Sequence, residues 1–555
     1  MVRLGPDASP RGILTNVKLA TLDRRGTGHA GLARLRRAMP VVSVVGLVVA
    51  VLALLPLGYL VVRASGLGWD RIVDIVVSER VRGLLWRSGT LAVAVTASSV
   101  AIAVPLAWLT VRTDLPLRRL WVVVTALPLA IPTYVGGFAF IGALGPRGIL
   151  QGWLEPFGVM SLPSFYGFPG AWLVLTLFTY PYVLLTVRSA IRRLDPSLED
   201  ASRTLGHGRW STFRRVVLPQ LRPSITAGSL LVALYTLSDF GAVSMLRFDS
   251  FTRSIFLQYR ASLDRSTAAV LGLVLVAVTL AVLSGESATR RSTSYHRLHS
   301  GGIRSAPITP LGRWRWPVVA LLSMLVLVAL VIPLAVITTW LLRGIDAGEP
   351  LRLTTTLIGN SLRASALGAL AAVVAAWPVA VLSVRRGGWL GRLVEGACWA
   401  GHSLPGVVVA LSLVFFGARV VPGIYQTHWL LTLAYVVLFL PQALGAMRTS
   451  LLQISPRLEE ASRLLGRGSM VTLWRIVVPL ARPGILAGAA LVFLTCMKEL
   501  PATLLLAPTG YPTLATQVWS ATSEAFFARA AAPALALVLL SSLPMAVLVL
   551  RERDR

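Results

Sequence analysis

Carboxylates are scarce in this chain, and their positions limit the chemistry they can serve. The 555 residues hold 23 Asp and Glu against 53 Lys and Arg. Two acidic pairs, Glu199-Asp200 and Glu459-Glu460, lie in polar segments, while Asp239 and Glu499 interrupt apolar ones. The cysteines, Cys398 and Cys496, both sit in apolar stretches, so no disulfide framework or zinc site is built from them. His296 and His299 form an HxxH pair in a basic segment, without a third ligand nearby, and read as solvated residues. Only Lys18 and Lys498 are lysines, and neither follows a glycine, so no GxxxxGK phosphate loop exists. No catalytic residue, metal site or bound cofactor is expected. Any nucleotide chemistry must be supplied by another subunit.

The elements that carry these residues are membrane spans. Hydrophobic residues make up 55% of the chain and charged ones 14%. Apolar stretches of about 20 residues recur, long enough to cross a hydrocarbon core of roughly 30 Å as helix. Twelve spans are expected, near 40–62, 90–111, 120–143, 170–188, 222–246, 266–284, 316–342, 359–384, 396–418, 427–447, 483–507 and 530–550. The fifth and eleventh are the ones that Asp239 and Glu499 interrupt. The first apolar stretch has the length of a retained anchor rather than a cleaved signal.

A formal charge of +30 would suggest nucleic acid in a soluble chain, but here the arginines lie between spans, where they set orientation. An even span number puts both termini on one side. Assigning that side to the cytoplasm places 37 of the 53 basic residues inside and 15 outside, with Lys498 in a span. That is the expected positive-inside bias, and a multi-pass inner (cytoplasmic) membrane protein follows.

The chain is also written twice. From Pro196 to Gly228, 18 of 33 residues are identical to those 260 positions later, without a gap. Pro181, Arg188 and Asp239 match Pro441, Arg448 and Glu499 at that shift, and Pro105, Arg112 and Pro132 match Pro378, Arg385 and Pro405 at 273. The expected organisation is a tail 1–39, a first half 40–285 (core 85–285), a linker 286–315 and a second half 316–555 (core 355–550). A pathway between pseudo-symmetric halves is the expected consequence.

Within the repeat, Asp195 and Ser455 are placed to N-cap helices that open on Pro196 and Pro456. The acidic pairs suit an opening turn, and Gly206 and Gly466 suit a left-handed stop. Leu198, Ala201, Ser202 and Leu205 share one face, as do Leu458, Ala461, Ser462 and Leu465. A second short helix is expected over 209–218 and 469–478, ending at Pro219 and Pro479. A helix of about ten residues is not stable alone in water, so it must pack on the membrane domain, a partner, or both. The alternative, an interfacial helix on lipid headgroups, sets four carboxylates against anionic lipid.

The motif Asp200-Ala-Ser…Gly206…Val216-x-Leu218-Pro219, repeated as Glu460-Ala-Ser…Gly466…Ile476-x-Val478-Pro479, resembles the EAA loop of binding-protein-dependent ABC importer permeases of the type I fold. The resemblance covers about 85–285 and 355–550. It implies an all-α membrane protein of about 12 transmembrane helices in two tandem six-helix repeats. It further implies that Glu199, Asp200, Ala201, Ser202, Gly206 and Pro219, with Glu459, Glu460, Ala461, Ser462, Gly466 and Pro479, couple to two ABC ATPase subunits carrying ATP-Mg. Ser202 and Ser462 replace the usual alanine, and Asp200 replaces glutamate.

The segments Leu237-Ser-Asp-Phe-Gly and Met497-Lys-Glu-Leu-Pro are similar to those of fused ferric iron permeases, which receive Fe(III) from an extracytoplasmic binding protein. Fused thiamine and phosphonate permeases share much of the pattern. Asp239 and Glu499 carry two readings. They flank a path for a cationic substrate, or they cap half-helices, with Lys498 neutralising Glu499. An ionised group at mid-bilayer costs at least about 2.5–3.5 kcal/mol, so either reading requires a partner or a wet cavity. Fe(III) prefers oxygen ligands, and two carboxylates support passage rather than tight binding. Tyr180, Tyr182 and Tyr235 line such a path or simply pack. The rival class, an ion-gradient-driven secondary transporter, would need proton or cation relays and no partner-docking helices.

Overall fold

The computed structural model describes residues 40–146, 148–261, 266–290, 308–402 and 404–551. The tail 1–39, most of the linker with His296 and His299, and residues 552–555 lie outside them. Among the described residues the chain is helical, apart from one isolated bridge between Thr113 and Thr309.

The first half runs through α1 (Pro40–Ser65), α2 (Glu79–Arg112), α3 (Thr133–Leu144), α4 (Phe168–Arg192), a short α5 (Pro196–Thr204), α6 (Leu218–Ser238), α7 (Phe251–Ala261) and α8 (Ser266–Arg290). The second half runs through α9 (Ile332–Asp346), α10 (Thr355–Val381), α11 (Gly388–His402), α12 (Gly406–Arg419), α13 (His428–Gln453), a short α14 (Pro456–Leu464), α15 (Val478–Lys498), α16 (Leu514–Ser523) and α17 (Phe527–Arg551).

Among the described residues nine helices are long and apolar enough to cross a membrane, and two bent pairs, if each is one span, bring the number to eleven. The apolar stretch Phe527–Ser542 of α17 is shorter. The bent pairs are the spans expected at 120–143 and 396–418. Each is bent by about a right angle, 94° and 99°. The cause is proline. Pro132 and Pro405 have ψ near 142° and 143°, outside the helical region, and stand just before α3 and α12. Proline has no N–H for the helix ladder and pushes the residue before it into extended geometry.

Each half has the same three-helix core. α2, α4 and α6 pack together in the first, and α10, α13 and α15 in the second. Small residues permit the contact, as in membrane helix pairs generally. A Cβ on Gly228 would fall 2.8 Å from the Val183 Cα, and one on its equivalent Gly488 would fall 3.0 Å from the Ala443 Cα.

The leading helices join the halves. α1 packs on α10, α11 and α12 of the second half as well as on α8, and Ser412 donates to the Pro56 carbonyl at 2.7 Å. α9 packs on α17 and also on α3 of the first half. A Cβ on Gly142 of α3 would meet Trp340 of α9 at 2.7 Å.

Candidate functional site

The two repeated short helices, α5 and α14, are built alike and held differently. Each stops where a glycine turns left-handed, Gly206 at φ 84° and Gly466 at φ 78°. There the His207 and Arg467 N–H groups reach back to the Ser202 and Ser462 carbonyls, both at 3.2 Å, which closes the exposed helix ends. At the entry, Asp195 accepts the Ser197 N–H at 2.9 Å. Ser455, expected to do the same, makes no side-chain cap bond. The main chain closes that turn instead, with the Leu458 N–H donating to the Ser455 carbonyl at 3.2 Å.

The acidic pairs split their duties. Asp200 and Glu460 face out, whereas Glu199 and Glu459 turn in, each toward an arginine at the end of a core helix. Arg112 Nη2 donates to Glu199 Oε1 at 2.8 Å, with the two side chains only 3% and 7% exposed. The Arg112 guanidinium also lies over the Trp108 ring, 5.6 Å from its centre. In the second half Arg385 Nε comes within 2.7 Å of Glu459 Oε1, but neither atom reaches hydrogen-bond geometry. Arg463 shares the same carboxylate from 3.4 Å. Arg112 and Arg385 are the residues matched at a spacing of 273. The repeat marked them, but nothing local assigned them this role.

This pairing decides which way the shared face points. Leu198, Ala201 and Leu205 are exposed, as are Leu458, Ala461 and Leu465, with Leu205 at 78% and Leu465 at 81%. Of the expected face only Ser202 and Ser462 are buried. Those serines hydrogen-bond Thr212 at 3.1 Å and Thr472 at 2.9 Å, tying each short helix to the segment after it. The serine that departs from the usual alanine is therefore a structural tie.

That following segment does not stop at Pro219 or Pro479 as expected. It continues through a π turn, Phe213–Val217 or Leu473–Val477, into α6 or α15, giving unbroken helices Trp210–Ser238 and Ser469–Lys498. The wider turn explains why. Leu218 and Val478 donate five residues back, and the proline that follows lacks an N–H to lose. A third π turn, Leu327–Val331, precedes Pro333 in the same way.

At the far ends of α6 and α15 the helix breaks at Asp239 and Glu499, with ψ of 131° and 120°. Asp239 accepts the Ala242 N–H at 3.0 Å and the Val243 N–H at 3.3 Å, and it also accepts the Thr133 hydroxyl. Glu499 accepts the Ala502 N–H at 3.2 Å. Both carboxylates thus cap the half-helix that follows. Lys498 does not turn to Glu499. Its ammonium donates to the Leu129 carbonyl of the other half at 3.0 Å, meeting a group exposed by the break before Pro132.

The tyrosines divide. Tyr180 is buried and donates to the Thr125 carbonyl at 2.6 Å. Tyr182 and Tyr235 pair ring to ring at 5.8 Å. Their equivalents, Gln442 and Thr495, pair by a 3.1 Å hydrogen bond.

Such a molecule, with two helical repeats joined crosswise and a short outward-facing helix in each, is a multi-pass inner-membrane transport component. The chain belongs to the family of binding-protein-dependent transport system inner membrane components, whose model matches it twice, over 99–288 and 364–554. It is 33% identical over 497 residues to the Fe(3+)-transport system permease protein FbpB 2 of Haemophilus influenzae, covering 89% of this chain and 95% of the relative. It is 26% identical over 399 residues to the ferric transport system permease protein FbpB of Actinobacillus pleuropneumoniae, covering 68% and 57%. The sulfate transport system permease protein CysT of Escherichia coli is 29% identical over 197 residues, 36% of this chain and 70% of its own length. The chain is thus a fused permease subunit with two tandem domains.

Proposed function

We propose that this chain is the permease of an importer for ferric iron, delivered by an extracytoplasmic binding protein and driven by two separate ATPase subunits. The observation that carries the reading is the pair of short helices, each anchored from behind by an arginine–glutamate ion pair and presenting leucines outward. Exposed leucines on a short helix need a protein partner, and two equivalent helices suit two copies of one partner. The arginine distribution supports placing these helices, and both termini, in the cytoplasm. The name of the relative matched over nearly its whole length supports iron, with thiamine and phosphonate as the alternative cargoes.

In this reading Mg-ATP binds only the partner subunits. Their closure draws α5 and α14 together, and the π turns pass that movement unbroken into α6 and α15. The moving helices end at Asp239 and Glu499, which flank the pathway. The caps hold these carboxylates in place, so their part in transport is to keep the two breaks rigid while the halves rock. An ion-gradient-driven carrier would leave the two outward leucine faces without a purpose.

The test is co-purification of the ATPase with the full chain, together with uptake of radiolabelled iron, thiamine and phosphonate by cells. Gly466→Asp, which strains the left-handed stop of α14, is expected to abolish ATPase association while membrane insertion persists. Normal association in that variant contradicts the assignment. An Asp239→Asn variant with normal uptake removes Asp239 from the transport step.

A further inference from the structure

Between the halves, at the end of the molecule opposite the short helices, lies a cavity of about 320 Å³. Its position follows from the chain path. Tyr166 lies just before α4, which runs from there to the short helix α5, and the Gly167 N–H donates to the Leu246 carbonyl at 2.7 Å. That bond sets Arg247 beside Tyr166, with the guanidinium 5.1 Å from the ring centre. The second half closes the other side with Trp519, Thr522 and Ser523.

The polar groups lining this space are cations and hydroxyls. Arg247 and Arg253 both line it, and no carboxylate does among the described residues. Arg253 pairs with Asp249, but that aspartate is shared with Arg87 at 3.1 Å. Asp249 is thus shared by two arginines, and Arg247 has no carboxylate at ion-pair distance among the described residues. Ser244 lines the same cavity, and its hydroxyl oxygen is buried behind that wall without a hydrogen-bond partner among the described residues.

The backbone supports a built site. Four non-glycine residues have positive φ among those described, and two of them, Arg247 at 54° and Ala525 at 62°, line this cavity from opposite halves. Such conformations cost energy and persist where surrounding structure fixes a side chain in place. The repeat shows that the charge is specific to this side. The positions equivalent to Arg247, Asp249 and Arg253 are Ala507, Thr509 and Thr513, all uncharged.

We infer that this vestibule is an anion site, taking an oxyanion or a carboxylate-bearing solute. Guanidinium groups pair bidentately with planar or tetrahedral oxyanions, and hydroxyls complete the contacts. A volume of about 320 Å³ suits a hydrated oxyanion or a small anionic chelate and lies at the lower end of ligand sites generally. A bare trivalent cation would meet like charge on entry. The inference rests on the proposed transport reading and refines its cargo: iron that passes here does so inside an anionic complex.

The test uses the purified full chain in lipid nanodiscs, with four labelled anionic probes: inorganic phosphate, sulfate, citrate and ferric citrate. Hexaamminecobalt(III) serves as a trivalent cation that keeps its ligands. At least one anionic probe is expected to bind saturably. Arg247→Gln should weaken that probe about tenfold or more, the cost of one charged hydrogen bond, while Arg247→Lys, which keeps the charge but loses the bidentate fork, should weaken it less than Arg247→Gln does. Hexaamminecobalt should not bind. Binding of ferric citrate but not citrate identifies the chelate as the occupant, and equal binding of phosphate or sulfate identifies a free oxyanion. Saturable hexaamminecobalt binding overturns the inference. So does the failure of every anion to bind, or anion binding that Arg247→Gln leaves unchanged. ATPase co-purification with Arg247→Gln stays normal in every case, so its loss would count against the transport reading and not this one.

Discussion

The two halves solve the same problem at the helix break with different residues. In the first, a short carboxylate, Asp239, meets the hydroxyl of Thr133 at the start of α3. In the second, the carboxylate is one methylene longer, and the position equivalent to Thr133 is Gly406. A Cβ on Gly406 would fall 2.7 Å from Glu499 Oε1, so the longer acid fills the space that threonine occupies in the other half. Size is exchanged while the cap is kept.

The inner ends differ in tightness. Arg112 is held by a 2.8 Å hydrogen bond to Glu199 and by an aromatic face, whereas Arg385 shares Glu459 with Arg463 without a hydrogen bond to it and donates instead to the Ile454 carbonyl at 3.1 Å. The difference teaches that geometry at the break is held constant, while the grip on the short helix is not.

Arg112→Ala strips a buried carboxylate of its partner and should destabilise the purified chain by about 3–5 kcal/mol. Arg385→Ala leaves Arg463 beside Glu459 and removes the 3.1 Å hydrogen bond to the Ile454 carbonyl, and should cost less, about 1.5–3 kcal/mol, the range for one charged hydrogen bond. Denaturant unfolding followed by tryptophan fluorescence compares them, and equal losses break the contrast. Gly406→Ala overpacks the second cap and should cost about 1–3 kcal/mol. Adding Glu499→Asp should recover most of it, with a coupling of about 0.5–3 kcal/mol in a double-mutant cycle. An additive pair would mean the two positions do not share space.

Ser202→Ala and Ser462→Ala should cost the same in both halves, about 0.5–1.5 kcal/mol each, because the hydroxyl ties to Thr212 and Thr472 are alike. The smallest effect lies outside the spans. Arg529 holds the Glu349 carboxyl below its ordinary range through two hydrogen bonds. A lowered acid contributes stability above its unfolded value, about 4.3, and loses it as pH falls through the lowered one. Glu349→Gln should lower the melting temperature slightly at neutral pH, flatten the acid limb of the profile, and leave the most acidic end unchanged.

The sequence made the repeat, the spans and the stops at Gly206 and Gly466 legible, because those are local and periodic. It marked Asp239 and Glu499 as interruptions, and they are breaks. It did not show that Pro132 and Pro405 break and bend their spans, since prolines such as Pro105 and Pro378 remain inside continuous helices. Helical periodicity grouped the leucines of α5 on one face but left open which way that face points, because the deciding contact comes from Arg112, 87 residues earlier. Lys498 was likewise assigned to its neighbour, although its partner lies 369 residues away in the other half. Only the fold brings such pairs together.

Site-directed cross-linking tests the central claim most directly. Both native cysteines are buried, so a single new thiol reports alone. With Leu205→Cys or Leu465→Cys in membranes that also contain the ATPase, each variant should give a permease–ATPase adduct, and the double variant should capture two ATPase copies. An ATPase that co-purifies with both variants yet cross-links through neither position would contradict the account.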